Sequence, residues 1–112
     1  MESTRQQKIA RLIQKEMADL LQHESFLFRY HGMLTVTQVK VSNDISYAKV
    51  YVSVFGTIDK QAVIHALNEN QKEIRFRMGQ RLRNQLRVIP TLAFVLDDTL
   101  DYIENIDQLL KQ

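Results

Sequence analysis

Residues 34–55 constrain the fold of this chain more than any other stretch. The run Tyr47-Ala48-Lys49-Val50-Tyr51-Val52-Ser53-Val54-Phe55 alternates strictly. Ala48, Val50, Val52 and Val54 fall on one side, and Tyr47, Lys49, Tyr51, Ser53 and Phe55 on the other. Period-two alternation rich in valine specifies a strand with one covered face. The preceding run, Leu34 to Val41, also reads as a strand, but its phase changes. Leu34 and Val36 share one face, Val39 and Val41 the other. A bulge near Thr37-Gln38, or cover on both faces, accounts for the change. Ser42-Asn43-Asp44-Ile45-Ser46 supplies turn chemistry between the two runs. So short a connection makes them an antiparallel hairpin.

Helical patterns flank the hairpin. From about Ser3 to Gln22 the residues Ile9, Leu12, Ile13, Met17, Leu20 and Leu21 share one face. Ser3 and Gln6, or Thr4 and Gln7, have capping-box spacing. Arg5, Lys8, Arg11 and Lys15 gather opposite, within about 120° of arc. His23 to Gly32 is a connection with alternating Phe26, Phe28 and Tyr30, aromatics that fold back on the core or stack on bases. After the hairpin, Asp59 caps a helix from Lys60 to about Glu69, with Ala62, Val63, Ala66 and Leu67 as its buried set. The polar segment 68–71 is a place for a bend.

Residues 70–87 read as one further helix. At about 100° per residue, Ile74, Met78, Leu82, Gln85 and Leu86 occupy roughly one third of its circumference. Lys72, Arg77, Arg83 and Arg87 point away, and Arg75 and Arg81 lie along the two margins. Pro90 ends helical structure. Thr91 to Leu96 is a third strand, expected to be buried on both faces from its nearly continuous apolarity. Asp97-Asp98 stops it. Asp101 and Glu104 then open a final amphipathic helix carrying Ile103, Ile106, Leu109 and Leu110. The order α-β-β-α-α-β plus a terminal helix predicts an α+β fold, a three-stranded sheet with helices packed on one face. Residues 1–98 form the domain and 99–112 the acidic C-terminal helix.

Charge is distributed unevenly. The net value is only +2 over 112 residues. Between Lys72 and Arg87, six basic residues stand against Glu73 alone, giving +5, while residues 97–112 carry −4. Arginine predominates in the basic block, and its planar fork suits phosphate oxygens and base stacking. The arrangement points to a polyanionic partner, with a solvated cationic face as the plainer alternative. Catalysis finds little support. His23, His31 and His65 lie on separate elements, cysteine is absent, and no phosphate-binding glycine loop occurs. No cofactor or metal site is expected. The polar N-terminus and the lack of a membrane-length apolar run predict a cytoplasmic, monomeric protein without a small-molecule substrate.

The element order resembles the type II KH fold, a module for single-stranded nucleic acid. Its usual Gly-x-x-Gly backbone clamp is missing, because Gly32, Gly56 and Gly79 form no such pair. Residues 41–53, Val41-Ser42-Asn43-Asp44-Ile45-Ser46-Tyr47-Ala48-Lys49-Val50-Tyr51-Val52-Ser53, resemble the hairpin signature of the ribosome-binding factor A family. Ile74-Arg75 and Leu86-Arg87-Val88-Ile89-Pro90-Thr91-Leu92-Ala93-Phe94 resemble its second signature, and Lys8-Ile9-Ala10 its opening. The similarity runs from about Ser3 to Asp98. It implies a non-catalytic factor that binds the free small ribosomal subunit and its 16S ribosomal RNA late in assembly and supports growth in the cold. The family's Ala-x-Gly kink falls on Asn70-Gln71-Lys72, which lacks both signature residues; asparagine tolerates unusual backbone angles and can preserve a bend. The expected RNA-binding residues are Lys72, Arg75, Arg77, Arg81, Arg83 and Arg87, supported by Arg5, Lys8, Arg11 and Lys15. The competing reading is a protein-interaction module working through an edge strand or the acidic terminal helix.

Overall fold

The computed structural model describes residues 2–23, 33–56 and 59–97. The 24–32 connection with its aromatics, Asp98 and the terminal acidic helix lie outside the described residues. The elements are α1 (Thr4–His23), β1 (Met33–Val41), β2 (Tyr47–Phe55), α2 (Lys60–Glu69), α3 (Gln71–Leu82) and β3 (Thr91–Leu96). The three strands form one sheet in the order β1-β2-β3. β2 pairs antiparallel with β1 and parallel with β3. A parallel partner needs a crossover, and α2 and α3 supply it.

The phase change in β1 resolves as a bulge. The register shifts between Val36 and Gln38, leaving Thr37 unpaired. Val36 and Val39 thereby face inward together, opposite Val52 and Val50. The covered face of the sheet joins Ala48, Val50, Val52, Val54, Leu92 and Phe94 to these residues in one core. α1 closes over β1 with Ile13, Met17 and Leu20, none of them measurably exposed. Side chains of this kind stabilise the fold by about 1.5–3 kcal/mol each when fully buried. α2 contributes Ile64 and Leu67, and α3 contributes Ile74, Met78 and Leu82.

Three expectations are corrected. α2 buries Ile64 and Leu67, with Val63 and Ala66 half-buried and Ala62 exposed, because the helix meets the sheet along an i, i+3 line. β3 is covered on one face only. Leu92 and Phe94 are buried, while Ala93 and Val95 are half-buried, as befits an edge strand with helices on one side. The arginine helix stops at Leu82 rather than Arg87. The amides of Gln85 and Leu86 both donate to Leu82 O at 2.8 Å, turning the chain so that Ile89 and Pro90 reach the core before β3 begins.

Polar side chains tie these parts together. Asn68 donates from Nδ2 to Phe94 O at 2.9 Å and accepts from Phe94 N at 2.8 Å, acting as one residue of strand on the outer edge of β3. At the α2–α3 junction, Asn70 keeps φ −96° and ψ 11°, an allowed bridge conformation. Its Nδ2 donates to Ala66 O at 2.8 Å and so caps α2. The bend survives without glycine.

Gln6 completes the capping box, its amide donating to Ser3 Oγ at 3.1 Å and its Oε1 accepting from Ser3 N at 2.8 Å. It is also buried, and Nε2 donates to Val41 O and Asn43 Oδ1, each at 3.0 Å. The cap therefore doubles as the link between α1 and the end of β1. Gln6→Ala is expected to lower stability by about 1–3 kcal/mol, read as a fall in the urea midpoint. A loss below about 0.5 kcal/mol would show that the link contributes little.

Candidate nucleic-acid interface

The basic residues of α3 and of the turn after it divide into held and free groups. Arg75 lies at the margin of the buried stripe, where its guanidinium reaches the turn before β3. Nε and Nη2 both donate to Ile89 O, at 3.0 and 2.7 Å. Arg77 donates to Glu73 one turn earlier at 2.9 Å. Arg81 points across to α1, with Nη1 2.5 Å from Asp19 Oδ2 and 3.6 Å from Glu16 Oε2. The Arg81 hydrogen bond is the main cause that lowers the Asp19 pKa below its ordinary value, and His23 adds to it.

Lys72, Arg83 and Arg87 are exposed and make no hydrogen bond or ion pair among the described residues. Two surface grooves organise them. The larger, of about 800 Å³, lies between the start of α1, the hairpin turn and the turn after α3. It is lined by Arg5, Lys8, Asp44, Ile45, Leu86 and Arg87 among others. The early end of α3 creates this meeting, because a helix continued to Arg87 would not turn back towards α1. The second groove, of about 570 Å³, holds Lys72, Arg75, Phe76, Gly79, Arg83, Arg87 and Val88 along the outer side of α3. Arg87 lines both. Arg11 and Lys15 are exposed on α1 and line neither.

The second groove contains an apolar feature that the charge pattern obscured. Phe76 is 62% exposed and Val88 is 68% exposed. The signal was present in the spacing. Phe76 sits two residues from Met78, about 200° round the helix, on the side opposite the buried stripe.

The first groove contains one acid. Asp44 Oδ1 accepts from Ser46 Oγ at 2.7 Å, Ser42 Oγ at 2.8 Å and Ser46 N at 3.1 Å. The Ser46 hydroxyl, then that of Ser42, lower its pKa to about 2. The same turn holds Ile45 at φ 61°, an uncommon backbone for a β-branched residue, with its side chain packed against the core. No group of three or more His, Cys, Asp or Glu able to hold a metal occurs among the described residues. No helix among them is long and apolar enough to cross a membrane.

Comparisons with known proteins agree on one family. A family model described as ribosome-binding factor A matches residues 5–110. A ribosome-binding factor A of Cytophaga hutchinsonii is 43% identical over 112 residues, spanning 100% of this chain and 84% of the relative. One of Christiangramia forsetii is also 43% identical, over 98% of this chain and 85% of its own length. The crystal structure of ribosome-binding factor A from Thermus thermophilus superposes with a TM-score of 0.66 at 24% identity, covering 81% of this chain and 94% of that one. A homology model of the Thermus thermophilus factor, fitted into a cryo-EM map of its 30S complex, gives 0.64 at 25% identity, covering 79% and 90%.

Two outcomes test the geometry. Arg75→Ala is expected to cost about 1–2 kcal/mol, because Ile89 O loses both donors, whereas exposed Arg83→Ala should cost under about 0.5 kcal/mol. Equal effects in chemical denaturation would contradict the division into held and free cations. The second concerns Asp44. Its folded pKa is depressed, so its contribution to stability is fully present above the ordinary value of 3.8 and fades as pH falls to about 2. Wild type and Asp44→Asn should differ in thermal stability at neutral pH and converge across that window. A gap that persists below pH 2 would remove the carboxylate as its cause.

Proposed function

The chain belongs to the ribosome-binding factor A family, and on that footing we propose that it is a non-catalytic assembly factor of the small ribosomal subunit. It binds the free 30S subunit through 16S ribosomal RNA in the cytoplasm, during late maturation and 16S processing, and supports growth in the cold. The observation that carries this reading is the set of cations left without protein partners among the described residues. Lys72, Arg83 and Arg87 share one groove, and Arg87 meets Arg5 and Lys8 in the other. The 30S complex of the Thermus thermophilus relative supports the same partner.

Guanidinium and ammonium groups of this kind neutralise phosphates and release counterions, so affinity falls as salt rises. We assign that contact to Lys72, Arg83, Arg87, Arg5 and Lys8, with Arg11 and Lys15 extending the positive field along α1. Arg75, Arg77 and Arg81 add to the field while holding the turn, the helix and the α1 contact. Phosphate contacts fix orientation without reading bases, so the factor recognises a folded RNA surface that exists at one stage of assembly. Binding that surface stabilises one RNA conformation over others, a population shift rather than a reaction. Pairing through the outer edge of β3 is disfavoured by Asn68, which occupies that edge at Phe94.

Reversing Arg83 and Arg87 to glutamate together is expected to weaken binding to purified small subunits and to lower the slope of log affinity against log salt by about 2, near one unit per lost phosphate contact. Folding should be unchanged. An unaltered slope across a salt series would exclude both residues from the interface.

A further inference from the structure

The Phe76–Val88 patch deepens that reading and rests on it. Two large apolar side chains stand in solvent, 62% and 68% exposed, without a part in the core. They line the same groove as Lys72, Arg83 and Arg87, whose charges are unpaired among the described residues. Arg75 lines it too, and its two hydrogen bonds to Ile89 O fasten the turn carrying Val88 onto the helix carrying Phe76. Gly79 lines the groove as well and adds no side chain to it. The result is an aromatic ring on a fixed helix, beside an open slot and inside a rim of positive charge.

We infer that this patch seats one unpaired base of a single-stranded RNA segment, stacked on Phe76 beside Val88, with the adjoining phosphates on Lys72, Arg83 and Arg87. Charge complementarity selects this occupant. An apolar protein surface would leave the cationic rim unmatched, and two side chains are far short of a stable protein interface, which needs about 1,000 Å². A base carries a π face for the ring and a phosphate on either side for the rim. The seat supplies what the missing glycine clamp does not, a short-range contact that distinguishes a splayed base from a paired one. It lies on the outward face of α3, so the ring needs no rearrangement of the core.

The experiment uses the full chain, a labelled oligoadenylate and an abasic ribose-phosphate strand of equal length and charge. Wild type should bind the oligoadenylate about tenfold more tightly than the abasic strand. Phe76→Leu, which keeps an apolar side chain but loses the ring, should erase that preference, and Phe76→Tyr should retain it. Neither should change the salt slope, since no charge is altered. In addition, the chain has no tryptophan, so Phe76→Trp gives a sole tryptophan, excited selectively at wavelengths the tyrosines do not absorb, whose fluorescence the oligoadenylate quenches and the abasic strand does not. The inference falls if Phe76→Leu keeps the preference, or if wild type binds both strands equally and salt-dependently; the cationic contact then stands alone. Loss of binding to a ribosomal protein in Phe76→Leu, with strand binding unchanged, would assign the patch to protein and overturn it. Failure of wild type to bind either strand or bare 16S ribosomal RNA would overturn the assembly-factor reading as well.

Discussion

One extra residue at Thr37 decides which way β1 faces, and much of the molecule follows from that choice. Without the bulge, Val36 and Val39 would point to opposite sides of the sheet, and α1 would lack half of its floor. The unpaired segment could have left stranded carbonyls. Instead Gln14 Nε2 lies 3.3 Å from Val36 O and 3.4 Å from Thr37 O. The Thr37 hydroxyl lies 2.5 Å from Asp97 Oδ2 and 3.3 Å from Tyr51 O. The bulge is thus satisfied from α1 on one side and from the end of β3 on the other. It fixes the helix carrying Arg5 and Lys8 relative to the strand that follows the turn carrying Arg87.

The sorting of the arginines follows from the same packing. Arg75, Arg77 and Arg81 differ little from Arg83 and Arg87 in local sequence, yet they meet different partners. Glu73 is one turn from Arg77, so that pair was legible by spacing. Asp19 lies 62 residues from Arg81 along the chain, and Ile89 O is a backbone acceptor that no charge pattern reveals. Periodicity therefore placed the basic residues off the buried stripe without showing which cations were already engaged. Its error over the helix end has a related origin. Leu86 continues the apolar stripe and is indeed packed against the core. It arrives there from a turn rather than a helix, because Ile89 and Pro90 must descend to the sheet within a few residues.

Local signals were most legible where one residue type permits few alternatives. The Ser3–Gln6 cap, the Asp59 cap on Ala62 N at 3.1 Å, the hairpin and the bulge all follow from short-range rules. Gln6 and Asn68 show where such rules stop. Both are polar residues on helices, and each finds its main partner on a strand, 35 residues away in the first case and 26 in the second. Their roles depend on the sheet being in place, so spacing within the helix carries no trace of them.

The junction between α2 and α3 links these observations to binding. A glycine-rich junction lets a phosphate backbone approach the helix N-terminus closely, where backbone amides and the dipole attract it. Here Asn70, Gln71 and Lys72 put side chains in that position. Asn70 turns its carboxamide back onto Ala66 O, and Gln71 Oε1 is buried without a hydrogen-bond partner among the described residues. An unsatisfied buried acceptor of this kind costs free energy. Of the three junction residues, Lys72 alone carries a positive charge. Further exposed cations stand past the end of α3, at Arg83 in one groove and at Arg87 in both.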